Sequence, residues 1–168
     1  MTGSENNIVV GLQHGNEGKG RILDFLANRA GVVARFQGCS NGGRIVTAGG
    51  EKYRVCYLPC GIHHDGKKCL ICCGVTLDLE KTAGEIGRLK EAGVLKARLT
   101  VSPSCHLILD YHKKLDLLSR RKYPDNYACT PFEPGLAPAG ADKYEYGGVT
   151  AGDLLSPSVL RHKIELNL

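Results

Sequence analysis

Tryptophan is absent from this 168-residue sequence, and aromatic residues together make up only 6% of it. A concentrated block of basic charge is also missing: the 22 lysines and arginines outnumber the 17 acidic residues, but they are spread along the chain. Surfaces that bind nucleic acids normally combine clustered basic residues with aromatic side chains on which bases stack. The composition therefore argues against a nucleic-acid-binding protein.

Long apolar runs are missing as well. No run approaches the roughly 20 apolar residues that a membrane-spanning helix needs. The first seven residues have neither the basic part nor the apolar part of a secretion signal. The sequence therefore predicts a cytoplasmic protein without a membrane segment, and its eight cysteines are expected to be reduced thiols.

Five of the cysteines lie between Cys56 and Cys73, and Cys69 and Cys72 have the spacing of two zinc ligands. The same stretch has the apolar pattern of a buried strand, in which a free cysteine packs like a small apolar residue. No second pair stands at zinc-finger spacing. The pattern favours cysteines that fill the core, with a metal site in this group as the alternative.

Short apolar runs alternate along the chain with segments of helical spacing. The runs predict strands over 8–10, 32–36, 70–73 and 99–101, and a hairpin over 45–55 that turns at Gly49-Gly50. Helical spacing predicts helices over 22–26, over 79–89 with Asp78 as its cap, from Ser104 to Leu118, and after Ser156-Pro157.

This alternation predicts an α/β fold with a mostly parallel central sheet and flanking helices. Residues 1–122 are expected to form an α/β nucleotide-binding-like region. Residues 123–168 contain five of the seven prolines. We therefore expect a loop-rich segment with a short terminal helix there, within the same domain.

The strongest local signal is the glycine-rich stretch Gly11-Leu-Gln-His-Gly-Asn-Glu-Gly-Lys-Gly20, which lies between a predicted strand and a predicted helix. Consecutive backbone amides in such a loop, with the positive end of the following helix, form a cradle for phosphate. The stretch is not a standard P-loop, because Gln13 takes the first glycine position and Gly20 replaces the magnesium-binding hydroxyl residue. Phosphate binding, with Lys19 reaching the phosphates, and a purely structural turn are both open at this point.

The segment Gly15-Asn-Glu-Gly-Lys-Gly-Arg21 resembles the glycine-rich loop of adenylosuccinate synthetase, Gly-Asp-Glu-Gly-Lys-Gly-Lys. The resemblance continues in order over about residues 7–156. The further matching segments are Arg35-Phe-Gln-Gly-Cys-Ser-Asn-Gly-Gly-Arg-Ile45, Leu58-Pro-Cys-Gly-Ile62, Ile71-Cys-Cys-Gly-Val75, His106-Leu-Ile-Leu-Asp-Tyr-His112 and Gly152-Asp-Leu154. The resemblance implies a P-loop-NTPase-like fold, truncated relative to the full family fold.

The resemblance also implies a reaction. The family joins IMP and L-aspartate at the expense of GTP, with magnesium as cofactor. A loop aspartate removes a proton from IMP and ligates the metal, and a histidine acts as the acid when the γ-phosphate is transferred.

Both proton-transfer positions are substituted in this sequence. The base position is Asn16, a neutral amide that cannot take up a proton near neutral pH. The acid position is Arg44, whose guanidinium does not release its proton in proteins. The family's magnesium positions fall on Asn16 and Gly43, and Asn16 brings no negative charge to the cation.

The nucleotide-binding positions that the resemblance implies are partly preserved. At two of them the anion-binding side chain is lost: Phe132 stands where the family has a phosphate-binding threonine, followed by the acidic Glu133. Tyr146 stands where the family has an arginine that reaches into the partner subunit's site. The full set is Gly15, Asn16, Glu17, Gly18, Lys19, Gly20, Arg21, Asn41, Gly42, Gly43, Phe132 and Tyr146.

A further cluster, His63-His64-Asp65, has the composition of a metal or catalytic site. It falls in a loop that varies within the family, after the Gly-Ile of Leu58-Pro-Cys-Gly-Ile62. We expect a solvated turn there.

The chain is less than half as long as the usual enzyme, and it lacks the family's aspartate-binding loop and Lys-x-Asp guanine motif. Together these features predict a catalytically inactive homologue that keeps a scaffold for weak binding of a purine nucleotide, GTP or IMP. One alternative is an interaction or regulatory protein that forms a homodimer or associates with a full-length homologue. The other is an active ligase of altered chemistry.

Overall fold

A four-stranded parallel sheet forms the centre of the structure, a computed structural model that describes residues 6–12, 17–38, 43–48, 50–124 and 133–167. The long strand β4 (Lys68–Asp78) is its middle strand. Strand β1 (Val32–Gly38) pairs along one side of β4. On the other side β5 (Arg98–Val101) pairs with the first half of β4, and β6 (His106–Ile108) with its end. The predicted α/β class with a mostly parallel sheet is confirmed.

A separate antiparallel hairpin joins β2 (Arg44–Ala48) to β3 (Glu51–Val55), as predicted. Gly50 takes a left-handed conformation with φ of 85°, which glycine adopts without steric cost in a tight hairpin turn. The hairpin contributes Val46 and Val55 to the core, where they join the interior residues of β4.

The helices follow the strands in chain order. They are α1 (Lys19–Ala27), α2 (Leu79–Glu91), α3 (Asp110–Lys122), α4 (Leu136–Tyr144) and α5 (Pro157–Leu166), with 3-10 helices at Cys60–His63 and Ala151–Leu155. The Asp78 carboxylate caps α2 by accepting the Lys81 N–H at 3.1 Å, as the sequence predicted. The described helices include none that is long and apolar enough to cross a membrane.

The apolar run 8–10 is not a strand, contrary to the prediction. Residues 6–11 have no regular secondary structure, and the Ile8 side chain is 81% exposed. A run of only three residues forms few hydrogen bonds with a neighbouring strand, and it becomes a strand only where such a neighbour lies alongside it. None of the described strands pairs with this run.

The predicted helix from Ser104 to Leu118 begins later and buries a different face. Residues 106–108 form β6, and the helix starts at Asp110. Leu118 is 59% exposed, whereas His112 and Asp116 are buried. The apolar spacing combined residues of a strand with residues of a helix, and it therefore selected the wrong face.

The buried polar residues of α3 have partners that explain their position. His112 Nδ1 accepts the Leu109 N–H at 2.8 Å, and its Nε2 lies 2.8 Å from Asp142 of α4. The Asp116 carboxylate accepts the Gly135 N–H at 3.2 Å, just before α4 begins. Buried polar groups are stable when they are hydrogen-bonded, so these contacts dock α3 against α4.

The segment after residue 122 is more regular than the loop-rich prediction. Of its described residues, 136–144 form α4 and 151–155 form a 3-10 helix. The helix after Ser156 is confirmed, with Pro157 in its first turn. Pro138 lies in the first turn of α4, where its missing N–H removes no helical hydrogen bond.

Gly74 marks a close approach between β4 and β1, which yields a first prediction. A Cβ at this position would clash with the Phe36 carbonyl oxygen. Phe36 lies at the point of β1 where the register between β1 and β4 shifts. We expect Gly74→Ala to lower the free energy of unfolding by about 1–3 kcal/mol, because the strands must move apart.

Gly84→Ala is the control. Among the described residues, no atom lies within 4 Å of a Cβ added to Gly84 in α2, and alanine there should raise the free energy of unfolding by up to about 1 kcal/mol. Urea unfolding measures both, and a Gly74→Ala protein as stable as the wild type would contradict the close approach.

Candidate functional site

The glycine-rich loop leads directly into α1, as the sequence predicted. Gly18 precedes the helix in a left-handed conformation with φ of 77°, and its backbone carbonyl accepts the Arg21 N–H at 3.0 Å. A non-glycine residue would be strained at this φ. Among the described residues no side chain caps the helix, so its first N–H groups and its positive end are left for another partner.

Five of the predicted site residues, Gly15, Asn16, Asn41, Gly42 and Phe132, lie outside the described residues. The described residues of the predicted site are Glu17, Gly18, Lys19, Gly20, Arg21, Gly43, Arg44 and Tyr146. Most of these surround the first turn of α1.

Lys19 is held by a neighbour in the loop. Its ammonium forms an ion pair with the carboxylate of Glu17, which is mostly buried. Gly11 lies against this pair, since a Cβ there would collide with the Glu17 carboxylate and the Lys19 Nζ. A phosphate that binds Lys19 must therefore compete with Glu17 for the ammonium.

Arg44, at the start of β2, brings a further positive charge to the first turn of α1. Its Cγ and Cδ would lie 3.0 Å and 3.1 Å from a Cβ added to Gly20, so its aliphatic part packs across that glycine. The guanidinium donates a hydrogen bond to the Leu58 carbonyl at 2.7 Å. The structure therefore places a fixed positive charge beside the loop.

Gly43 sits beside another arginine, Arg54. A Cβ at Gly43 would lie 2.6 Å from Nε of Arg54, which belongs to β3. A guanidinium at this point repels a metal cation and attracts an anion. Of the two positions that the resemblance assigns to magnesium, Gly43 lies beside Arg54 and Asn16 is a neutral amide outside the described residues, so this pair does not fit the ion.

Glu85, which the sequence analysis did not single out, holds the segment 56–58 in place. This glutamate of α2 is only 4% exposed. Its carboxylate accepts the backbone N–H groups of Cys56, Tyr57 and Leu58 at 3.0, 3.1 and 3.2 Å. The signal for it is present in the sequence, because Glu85 shares the buried face of α2 with Thr82 and Leu89 at helical spacing.

The opposite side of the same segment is bound by arginines. The Cys56 carbonyl accepts a hydrogen bond from Arg35, and the Leu58 carbonyl accepts one from Arg44. Glu85 therefore supports Arg44 through the backbone of residues 56–58.

In the C-terminal part, Phe132 lies outside the described residues, and the structure describes its neighbour Glu133 and the substituted position Tyr146. Glu133 is buried and forms an ion pair with Lys81 of α2. Tyr146 is 95% exposed and takes a left-handed conformation with φ of 62°. A phenol in that exposed turn supplies no positive charge for a phosphate.

The cysteine group does not form a metal site among the described residues. Cys69 is buried in the core, whereas Cys73 is exposed. Burial raises the pKa of the Cys69 thiol to about 11, which disfavours the thiolate that binds zinc. The core-filling interpretation is therefore favoured for Cys69.

The pair His63 and His64 is not a solvated turn, contrary to expectation. Both side chains are largely buried, and the Nε2 atom of each lies 3.3 Å from the same carboxylate oxygen of Asp24 in α1. Burial, with the neighbouring His64, lowers the pKa of His63. Asp65 is 84% exposed and does not join the two histidines.

Comparisons with known proteins agree with the sequence resemblance. A profile of the family described as adenylosuccinate synthetase matches residues 8–168. The chain is 42% identical over 165 residues to the adenylosuccinate synthetase of Nitratidesulfovibrio vulgaris, covering 97% of this chain and 39% of that protein. Identity to the Neisseria gonorrhoeae enzyme is 41% over 167 residues, covering 98% of this chain and 38% of that protein. The chain thus spans about two fifths of the length of the curated relatives it matches.

Solved structures show the same likeness. The fully ligated adenylosuccinate synthetase from Plasmodium falciparum matches with a TM-score of 0.77 and 25% identity, covering 92% of this chain and 36% of that chain. The succinoaminodeoxyadenylate synthetase of cyanophage S-2L matches with a TM-score of 0.50 and 19% identity, which shows the fold alone.

Proposed function

Since this chain belongs to the adenylosuccinate synthetase family, we propose that it binds a purine nucleotide weakly through the phosphates and does not catalyse the ligation. The family reaction is the GTP-dependent joining of IMP and L-aspartate in AMP biosynthesis. In this proposal the chain retains the glycine-rich loop that binds phosphate. It does not retain the side chains that transfer protons in the family reaction.

The observation that carries the proposal is the position of Arg44 at the first turn of α1. Its side chain crosses Gly20, and its guanidinium is tied to the Leu58 carbonyl at 2.7 Å. The uncapped first turn after Gly18 offers backbone N–H groups at the same place. A fixed cation next to open N–H groups supports binding of a phosphate.

The same residue argues against catalysis. At this position the family has a histidine that acts as an acid, and a guanidinium does not give up its proton near neutral pH. The base position, Asn16, is a neutral amide that does not accept one. Neither residue type can perform general acid–base catalysis.

Two features make the expected binding weak and directed to phosphate. Lys19 is already paired with Glu17, so part of the energy gained on binding is spent in breaking that pair. The residues at the family's magnesium positions do not fit the ion, and we propose that any magnesium arrives bound to the nucleotide's own phosphates. No step of this proposal depends on a protein-ligated metal.

Lys19→Ala tests this function. We expect isothermal titration with GTP and magnesium, and separately with IMP, to show saturable binding by the wild type and about 10-fold weaker binding by Lys19→Ala. The loss of one charge-assisted hydrogen bond, about 1.5 kcal/mol, accounts for that factor. Lys114→Ala is the matched control because Lys114 is an exposed lysine of α3, and it should bind as the wild type does.

Two outcomes would contradict the proposed site. Equal binding by the wild type and Lys19→Ala would move the nucleotide away from the loop. No binding by either protein would favour the second candidate, a role in association with another protein.

That second candidate has one observation in its favour. Large apolar side chains of α1, β1 and β2 are exposed in the structure: Ile22, Phe25, Val32, Phe36 and Ile45. Exposed apolar side chains of this size commonly mark surfaces that associate. We propose a second copy of this chain or a full-length homologue as the partner in that case.

A further inference from the structure

Three metal-ligating side chains meet outside the glycine-rich loop. Asp24 comes from α1, His63 ends the 3-10 helix Cys60–His63, and His64 follows it. Their ligand atoms all lie within 4.8 Å of one another. The centroids of the two imidazole rings are 3.9 Å apart, and both rings present Nε2 to the same carboxylate.

The hydrogen bond at the far side of His63 determines which nitrogen carries its proton. Nδ1 lies 3.1 Å from the Cys60 carbonyl oxygen. A carbonyl only accepts hydrogen bonds, so Nδ1 is the protonated nitrogen of the neutral ring. Nε2 then points its lone pair at the Asp24 oxygen 3.3 Å away. Two facing lone pairs repel each other unless a positively charged group lies between them.

His64 and Asp24 are left in the same situation. Asp24 Oδ1 and His64 Nε2 are both buried, and neither makes a hydrogen bond in the described part of the chain. Buried polar atoms are normally satisfied. One cation among the three atoms would satisfy all of them.

The spacing of the atoms fits a small tetrahedral ion. Two donors bound at about 2.0–2.1 Å to a tetrahedral ion lie about 3.3–3.4 Å apart. Both Nε2 atoms are 3.3 Å from Asp24 Oδ1. A metal-ligating histidine usually donates its other N–H to a carbonyl or carboxylate, as His63 does to Cys60.

We propose that Asp24, His63 and His64 bind a divalent transition-metal ion, with Zn²⁺ as the preferred ion. Two imidazoles and one carboxylate are a donor set that zinc accepts, with a water in the fourth position. The Cys60 thiol is not part of the set, since it is directed to the Gly20 carbonyl at 3.7 Å.

The site would connect two elements that pack closely. Gly61 of the 3-10 helix has no room for a side chain, because a Cβ there would lie 2.7 Å from Val33 and 3.6 Å from Ala27 of α1. A metal bound by Asp24 and the two histidines therefore ties the 3-10 helix to the helix that begins at the glycine-rich loop. Its occupancy would stabilise the fold at that point.

The test uses Co²⁺ and Zn²⁺ added separately to the reduced, metal-stripped full chain. We expect one equivalent of Co²⁺ to give the intense visible absorption of a tetrahedral ion, without the near-ultraviolet thiolate charge-transfer band that cysteine ligands produce. Calorimetry should show one Zn²⁺ per chain, and Zn²⁺ should raise the thermal midpoint.

Variants assign the ligands. Loss of a hydrogen-bond partner behind a metal ligand weakens binding by roughly 10- to 100-fold. His64→Gln and Asp24→Asn each remove a ligand itself, so each should weaken Zn²⁺ binding by more than that. Both variants should also abolish the increase in the midpoint temperature of thermal unfolding that Zn²⁺ causes in the wild type. His162→Gln, which alters an exposed histidine of α5, should change neither.

Three results would overturn the proposal. They are no Co²⁺ or Zn²⁺ binding by the wild type, a cobalt spectrum dominated by thiolate, and equal binding by Asp24→Asn. The wild-type spectrum decides even if a variant fails to fold. Absence of binding would assign the cluster to direct contacts between Asp24 and the two histidines without a metal ion.

Discussion

Glu85→Ala is expected to lower the free energy of unfolding by about 3–5 kcal/mol, more than the other single substitutions considered for stability. The Glu85 carboxylate is buried and accepts three backbone N–H groups, those of Cys56, Tyr57 and Leu58. Alanine leaves all three donors without an acceptor, and leaving a buried donor unsatisfied costs about 1–3 kcal/mol. It also removes the negative charge that lies across the segment from Arg35 and Arg44.

Two further variants separate this mechanism from a general effect on α2. Glu85→Gln keeps one acceptor oxygen and should cost about half as much as the alanine substitution. Glu91→Ala changes an exposed glutamate at the end of the same helix, and should stay within about 0.5 kcal/mol of the wild type. Urea unfolding of the set measures this order. A Glu85→Ala protein as stable as Glu91→Ala would show that the three hydrogen bonds do not support the fold.

The parts of the fold that local sequence determines were predictable. Asp78 caps α2, and Gly50 turns the hairpin, because capping and turn conformations depend on a few neighbouring residues. The continuous apolar run around Leu70 marks the middle strand β4, which is buried between its neighbours.

The parts that depend on distant partners were not predictable from spacing. The run at 8–10 looks like a strand, yet no described strand aligns with it. Helix α3 buries His112 and Asp116 because partners in and just before α4 bind them. Those partners lie about 20 to 30 residues away along the chain, beyond any helical period.

The candidate site also contains some residues that sequence motifs identify and others that only the tertiary structure identifies. The glycine-rich loop and the substitutions Asn16 and Arg44 are visible in the sequence motifs, and the family resemblance they indicated is confirmed. The roles of Glu85 and Asp24 depend on tertiary contacts, since each meets residues 27 to 40 positions away. The histidine pair was visible, but its acidic partner is Asp24 rather than the adjacent Asp65.

The largest expected effect concerns turnover. A general acid or base typically contributes about 10²- to 10⁴-fold to a rate, and in the proposed function both the base position and the acid position are substituted. Asn16 has no basic site for the proton of IMP. The Arg44 guanidinium donates a hydrogen bond to the Leu58 carbonyl, and a guanidinium does not serve as a proton donor in general acid catalysis. Losses of groups that act together are not additive, yet either loss alone removes most of the rate.

An assay of adenylosuccinate formation by the 168-residue chain distinguishes a nucleotide-binding protein from an active ligase. The chain is incubated with IMP, L-aspartate, GTP and magnesium, and the product is followed by chromatography, with the Neisseria gonorrhoeae synthetase as the positive control. We expect no product above the protein-free background from this chain, while calorimetry on the same preparation shows nucleotide binding. Product that increases in proportion to the concentration of the chain, and that disappears in Lys19→Ala, would contradict this expectation.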